Sequence, residues 1–114
     1  MRDALVRGSL VLVSFDPTQG HEQRGARPAV VVSSPRYLSS VRGLVIVVPI
    51  TSVDRGWPHH VLIGGNTSAL RKRSFAMTEQ PRTISQERIR RHSGSADERT
   101  LAEVDRWLRD FLAL

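Results

Sequence analysis

LVLVSFDPTQGHEQRGARPAVVV, Leu10 to Val32, sets two apolar runs on either side of a charged connection. The flanking runs, Leu10–Phe15 and Ala29–Val32, are short and rich in β-branched residues, which favours strands over helices. Between them, the stretch from Phe15 to Pro28 gathers His21, Glu22, Gln23, Arg24 and Arg27 and is too polar to form a core. A long charged loop held by two strands is a common place for binding or catalytic side chains.

The same strand-like pattern continues outward. Leu44–Ile50 is a third β-branched run, and Val61–Ile63 and Ser74–Thr78 are weaker strand candidates. The connection SPRYLSSVR, residues 34–42, can hold a turn of helix, and Asn66–Arg71 reads as a loop or single turn. Towards the end the period changes. Ser95-Ala96-Asp97-Glu98 fits a capping box with Ser95 as N-cap, and Leu101, Val104, Leu108, Phe111 and Leu112 follow in one stripe. Arg106 and Arg109 stand near the helix end, where cations complement the dipole. Strands first and one closing amphipathic helix predict an α+β domain on a small antiparallel barrel.

With 114 residues, the chain is expected to form a single domain over residues 1–114. Hydrophobic residues at 39% and charged residues at 25% fit a soluble globular chain. Cysteine is absent, which removes disulfides, thiolate nucleophiles and Cys-based zinc sites and suits a reducing cytoplasm. No window approaches the roughly 20 apolar residues of a membrane span, and the early acidic residue in MRDALVRGSLVLV argues against a signal peptide. The net charge is +6, from 17 Lys+Arg against 11 Asp+Glu, with arginine dominant. Arginine's planar fork matches phosphate, so the balance suits a polyanionic partner, though an acidic protein is drawn by the same field.

Three motifs resemble the MazF/PemK/Kid toxins, small ribonucleases of bacterial toxin–antitoxin pairs. The first is Gly8 and its strand, then Asp16-Pro17-Thr18 and GHEQRGARP. The second is VVPITS, Val47 to Ser52, and the third is Glu79-Gln80-Pro81-Arg82-Thr83-Ile84. Each is short, but all three occur in order and at about the right separations. The resemblance implies an SH3-like barrel with a C-terminal helix. It also implies a homodimer that cleaves single-stranded RNA to a 2′,3′-cyclic phosphate and a 5′-hydroxyl, and an antitoxin whose acidic tail occupies the RNA groove.

RNA cleavage without a metal needs a base for the 2′-hydroxyl, a cation for the charge on phosphorus and an acid for the leaving oxygen. The family's catalytic arginine falls on Arg27, where Pro28 biases the backbone to an extended form. Its catalytic threonine falls on Thr51, followed by Ser52; outside the family, a Thr-Ser pair at a strand end is ordinary turn chemistry. Glu79 is a candidate base, since Kid and PemK carry a proposed basic aspartate there. Their proposed acid, an arginine two residues earlier, is Met77 in this chain and cannot donate a proton. That departure shifts weight to the arginine and threonine, as in the MazF branch. His21, Glu22, Gln23, Ser52 and Gln80 are candidate substrate-binding residues, with His21 and Glu22 as alternative proton carriers.

Other charged groups give weaker signals. His59 and His60 are adjacent and on a strand would point to opposite faces, so no metal site or cofactor is expected. Arg71-Lys72-Arg73 and Arg88-Ile89-Arg90-Arg91 read as solvated edges or phosphate contacts. Trp57 is either a loop aromatic above a substrate groove or a core residue. Two rival functions share the class: a gyrase-inhibiting toxin of the same fold, and a non-catalytic RNA-binding regulator. The first depends in the family on a Trp-Gly-Ile-type C-terminus, and this chain ends Phe111-Leu112-Ala113-Leu114.

Overall fold

The computed structural model describes residues 4–14 and 26–114. In chain order the elements are β1 (Ser9–Ser14), β2 (Ala26–Val31), α1 (Pro35–Ser40), β3 (Leu44–Thr51), β4 (His60–Leu62) and β5 (Gly65–Asn66). They continue with β6 (Phe75–Met77), β7 (Arg82–Ser85), β8 (Ile89–Ala96) and α2 (Glu98–Leu112). The described strands form a curled antiparallel sheet in the order β4-β6-β3-β2-β1-β8-β5, with β7 also on β3. β3 serves two partners on one flank. Its residues 44–47 pair with β7 and 50–51 with β6, while residues 47–49 pair with β2 on the other flank.

Strand alternation divides the apolar runs between two faces. Leu10, Val30, Val48 and Ile50 bury themselves on the face that receives α2. Val11, Val13, Ala29, Val31, Val45 and Val47 turn to the other face, which Ile84, Leu38 of α1, Leu5 and Ile89 cover. Burial on both faces explains why the central strands read as unbroken apolar runs rather than as alternation. β8 is different. Its sequence IRRHSGSA is polar and half-exposed, and backbone pairing to β1, with two register shifts, holds it in the sheet. Gly94 lies where β8 turns from β1 towards β5. It has φ +140°, and a Cβ there would stand 2.1 Å from the Asn66 carbonyl oxygen, so only glycine fits.

Helix α2 starts two residues later than the capping-box reading. Ser95 belongs to β8, and Asp97 is the N-cap, its carboxylate accepting the Thr100 N–H at 2.9 Å. The reason is tertiary: Gly64 N–H donates to Thr100 Oγ1 at 2.9 Å and Asp97 N–H to Gly64 O at 2.9 Å, fixing the first turn on the β4–β5 connection. The stripe is also corrected. Leu101, Val104 and Leu108 pack on the sheet as expected, joined by Trp107, but Phe111 and Leu112 are exposed. The helix outruns the apolar face beneath it, and the Phe111 ring meets His59 and Trp107 instead. Arg7 ties the assembly together, donating to Val32 O at 2.6 Å and pairing with Asp105 of α2. Asp97→Ala is expected to lower the thermal midpoint clearly more than Ser95→Ala, because only Asp97 satisfies an orphan helix N–H. A larger drop for Ser95→Ala than for Asp97→Ala would return the cap to Ser95.

Candidate functional site

The end of β3 sits at the centre of the site. Pro49 and Ile50 continue the strand, and at Thr51 the chain leaves the sheet with its hydroxyl oxygen accepting the Val53 N–H at 3.1 Å. That bond occupies an acceptor lone pair and leaves the hydroxyl proton to donate elsewhere. Ser52 follows, exposed. Arg27, one residue into β2 and opposite Val13 of β1, is exposed beside Pro28. Proline so early in a strand is compatible with pairing because the strand proper, with both flanks paired, begins after it.

These residues share one cavity of about 660 Å³. Arg27, Thr51, Ser52 and Gln80 line it, together with Met77 from the end of β6. So do three cations that the sequence reading did not single out individually: Lys72, Arg82 of β7 and Arg91 of β8. Among the described residues the lining holds these four cations and no carboxylate. The Ser93 hydroxyl joins those of Thr51 and Ser52, while Ser74, also in the lining, donates its proton to Lys72 O at 2.9 Å. A hollow with clustered cations and hydroxyl donors is suited to a phosphodiester backbone.

Each basic run therefore divides by position. Lys72 reaches the cavity while Arg73 pairs with Asp54 at 3.4 Å. Arg91 reaches the cavity while Arg88 donates to Ser14 O at 3.2 Å, bracing β8 against β1. No apolar period marks β8 as a strand, and a register shift at Ser93 interrupts its alternation, so no local signal picks out Arg91. His21, Glu22 and Gln23 lie outside the described residues.

Glu79 stands apart from the cavity lining, in the turn between β6 and β7 that Gln80 N–H closes onto Met77 O at 3.0 Å. Its carboxylate faces two histidines, with His60 Nε2 at 3.1 Å and His59 Nε2 at 3.5 Å, and it accepts the Gln80 side-chain N–H at 3.2 Å. Partial burial pushes its pKa up, but the hydrogen bonds from His60, from its own amide and from Gln80 outweigh that and hold it below the usual carboxylate value. The opposite-faces expectation for His59 and His60 is thus corrected: His59 lies in the turn before β4, where strand alternation does not apply. Trp57 is half-exposed and is not part of the cavity lining; its ring stacks on His59 at 5.5 Å and meets His60 at 4.8 Å.

The sequence profile of the PemK-like, MazF-like toxins of type II toxin–antitoxin systems matches residues 6–112. Endoribonuclease MazF9 of Mycobacterium tuberculosis is 37% identical over 113 residues, covering 95% of this chain and 96% of that protein. Endoribonuclease PemK of Escherichia coli is 41% identical over 81 residues, covering 68% of this chain and 59% of that one. The crystal structure of MazF from Deinococcus radiodurans superposes with a TM-score of 0.80 at 30% identity, covering 99% of this chain and all of that one. A MazE–MazF crystal structure from the same organism gives 0.81, also at 30% identity. With the profile spanning the cavity-forming strands and the closing helix, the chain belongs to the family of PemK-like, MazF-like toxins of type II toxin–antitoxin systems.

Proposed function

We propose that this chain is the toxin of such a pair, a sequence-selective endoribonuclease that cleaves single-stranded RNA without a metal, as one domain over residues 1–114. The observation that carries the reading is the cavity in which Arg27, Thr51, Ser52 and Gln80 meet three further cations and no described carboxylate. Its relatives named as endoribonucleases support the activity. The curled sheet corresponds to an SH3-like barrel, and the working unit is a homodimer in the cytoplasm. Among the described residues no helix is long and apolar enough to cross a membrane.

In this mechanism the 2′-hydroxyl attacks the adjacent phosphorus, the 5′-oxygen leaves, and the products are a 2′,3′-cyclic phosphate and a 5′-hydroxyl. Arg27 holds two phosphoryl oxygens and stabilises the added charge of the transition state. The Thr51 hydroxyl, oriented by Val53 N–H, donates to a phosphoryl oxygen beside it. Ser52 and Gln80 bind the strand, with His21, Glu22 and Gln23 contributing from the first loop. Glu79 can act as base only by leaving its histidines, and its lowered pKa makes it a weak one; Glu22 and His21 are the other proton carriers. Single-stranded RNA is the substrate because splayed bases expose readable edges and only RNA supplies the 2′-hydroxyl. The MazE–MazF neighbour supports an antitoxin partner for this chain, and an acidic segment of it competes with RNA for the same cations.

Incubation with RNA in EDTA tests this reading. Fragments ending in 2′,3′-cyclic phosphate, with 5′-hydroxyl partners, are expected. RNA that is bound but stays intact would instead identify a non-catalytic RNA-binding protein.

A further inference from the structure

Two neighbouring histidines and a glutamate from a different turn bring their ligand atoms close together. His60 Nε2 lies 3.1 Å from each Glu79 oxygen, and His59 Nε2 lies 3.5 Å from Oε1. The ligand atoms of the three residues all fall within 4.8 Å of one another. Around a tetrahedral zinc-class ion with bonds of about 2.0–2.1 Å, ligand atoms stand about 3.3–3.4 Å apart. The two histidine–carboxylate separations bracket that spacing. The remaining separation, between the two histidines, is at most 4.8 Å, and closing it takes a turn of the His59 ring against its aromatic neighbours.

We propose that His59 Nε2, His60 Nε2 and the Glu79 carboxylate bind one divalent transition-metal ion, outside the RNA cavity and independent of RNA cleavage. Two imidazoles and one carboxylate select zinc-class ions over magnesium, which prefers oxygen ligands throughout. A fourth position is left for water. The hydrogen-bonded arrangement of His60 and Glu79, with His59 beside them, is the metal-free form of the same site.

The surroundings set its strength and its effect. In the metal-free form the Nε2–H tautomer of His60 donates to Glu79 and leaves Nδ1 as a bare lone pair, buried and without a hydrogen-bond partner. A metal on Nε2 moves that proton to Nδ1, where it finds no acceptor. Well-supported sites give this second nitrogen a partner, so this site binds more weakly than they do. Two segments supply the ligands: the turn entering β4 and the β6–β7 turn that carries Gln80. The metal clips these segments together beneath the aromatic rings of Trp57, Trp107 and Phe111, which surround His59. A ligand that binds only the folded chain raises its thermal midpoint.

The test uses the full chain without a histidine tag. Titration with Co²⁺, followed by visible absorption, and with Zn²⁺, followed by calorimetry, is expected to give one ion per chain. The cobalt form is expected to have the intense spectrum of a four-coordinate site. His59→Ala and Glu79→Gln should each weaken Co²⁺ binding by at least about tenfold, since even partners of the ligands are worth 10- to 100-fold. His60 is left intact because its side chain is only 2% exposed and its loss threatens the fold. Circular dichroism of both variants, and RNA cleavage in EDTA by His59→Ala, report that the chain is folded. Absence of stoichiometric uptake, or unchanged affinity in either folded variant, overturns the site. Wild-type protein that takes up no Co²⁺ but cuts RNA in EDTA removes the metal site and leaves the nuclease reading standing.

Discussion

Arg27→Ala is expected to slow RNA cleavage by about 10²–10³-fold in a chain that unfolds at the wild-type temperature, because a preorganised donor at the reacting phosphate is lost. Arg27 is exposed on the cavity wall, so truncation opens no hole in either core cluster. Its backbone still pairs with Val13 of β1. The three other cations of the cavity remain, so RNA binding weakens less than the rate does. That split separates a residue acting on the transition state from one that only attracts the strand. Arg27→Lys should recover only part of the rate, since an ammonium keeps the charge but not the two-point fork. Single-turnover cleavage with RNA-binding controls measures both quantities. A folded Arg27→Ala chain with near wild-type cleavage would sink the assignment.

How far the sequence discloses this site follows from what each residue does for the fold. The central strands β1, β2 and β3 are legible because both their faces are buried and their apolar runs are unbroken. β7 and β8 are not, because their side chains are mostly polar or exposed and backbone pairing to β3 and β1 holds them. The hidden strands carry Arg82 and Arg91, which reach the cavity from opposite flanks of the β3-β2-β1 centre. The helix was legible as a stripe, but its start was not. Ser95 and Asp97 are both good caps by residue type, and the bonds between Gly64 and the first turn decide between them. The motif residues Arg27, Thr51, Ser52 and Gln80 were legible through the family resemblance, and they do meet. Glu79 shows where a motif stops being informative. Nothing local reveals that its carboxylate turns to histidines about twenty positions earlier. The alternation rule that set His59 and His60 apart failed because the strand begins between them.

Thr51→Ala is expected to reduce cleavage by about 10²-fold, whereas Ser52→Ala should cost less than about tenfold; the larger figure is that of losing one aligned donor to a developing oxyanion. The two hydroxyls are adjacent in sequence but not equivalent in structure. Thr51 ends β3 in register with Phe75 of β6, and its oxygen is pinned by the Val53 N–H at 3.1 Å. Its proton therefore has a fixed origin and few directions to point. Ser52 lies past the strand end, exposed, and must be ordered by the substrate it binds. Removing the Thr51 hydroxyl also frees the Val53 N–H, so a loop disturbance has to be distinguished from loss of a donor. Thr51→Ser makes that distinction, because it restores both the acceptor for Val53 and the donor while deleting only a methyl group. Cleavage within about tenfold of wild type is expected for Thr51→Ser, and Thr51→Val should fall with Thr51→Ala. If Thr51→Ala and Ser52→Ala instead show equal, small losses, the reacting phosphate does not sit at the end of β3.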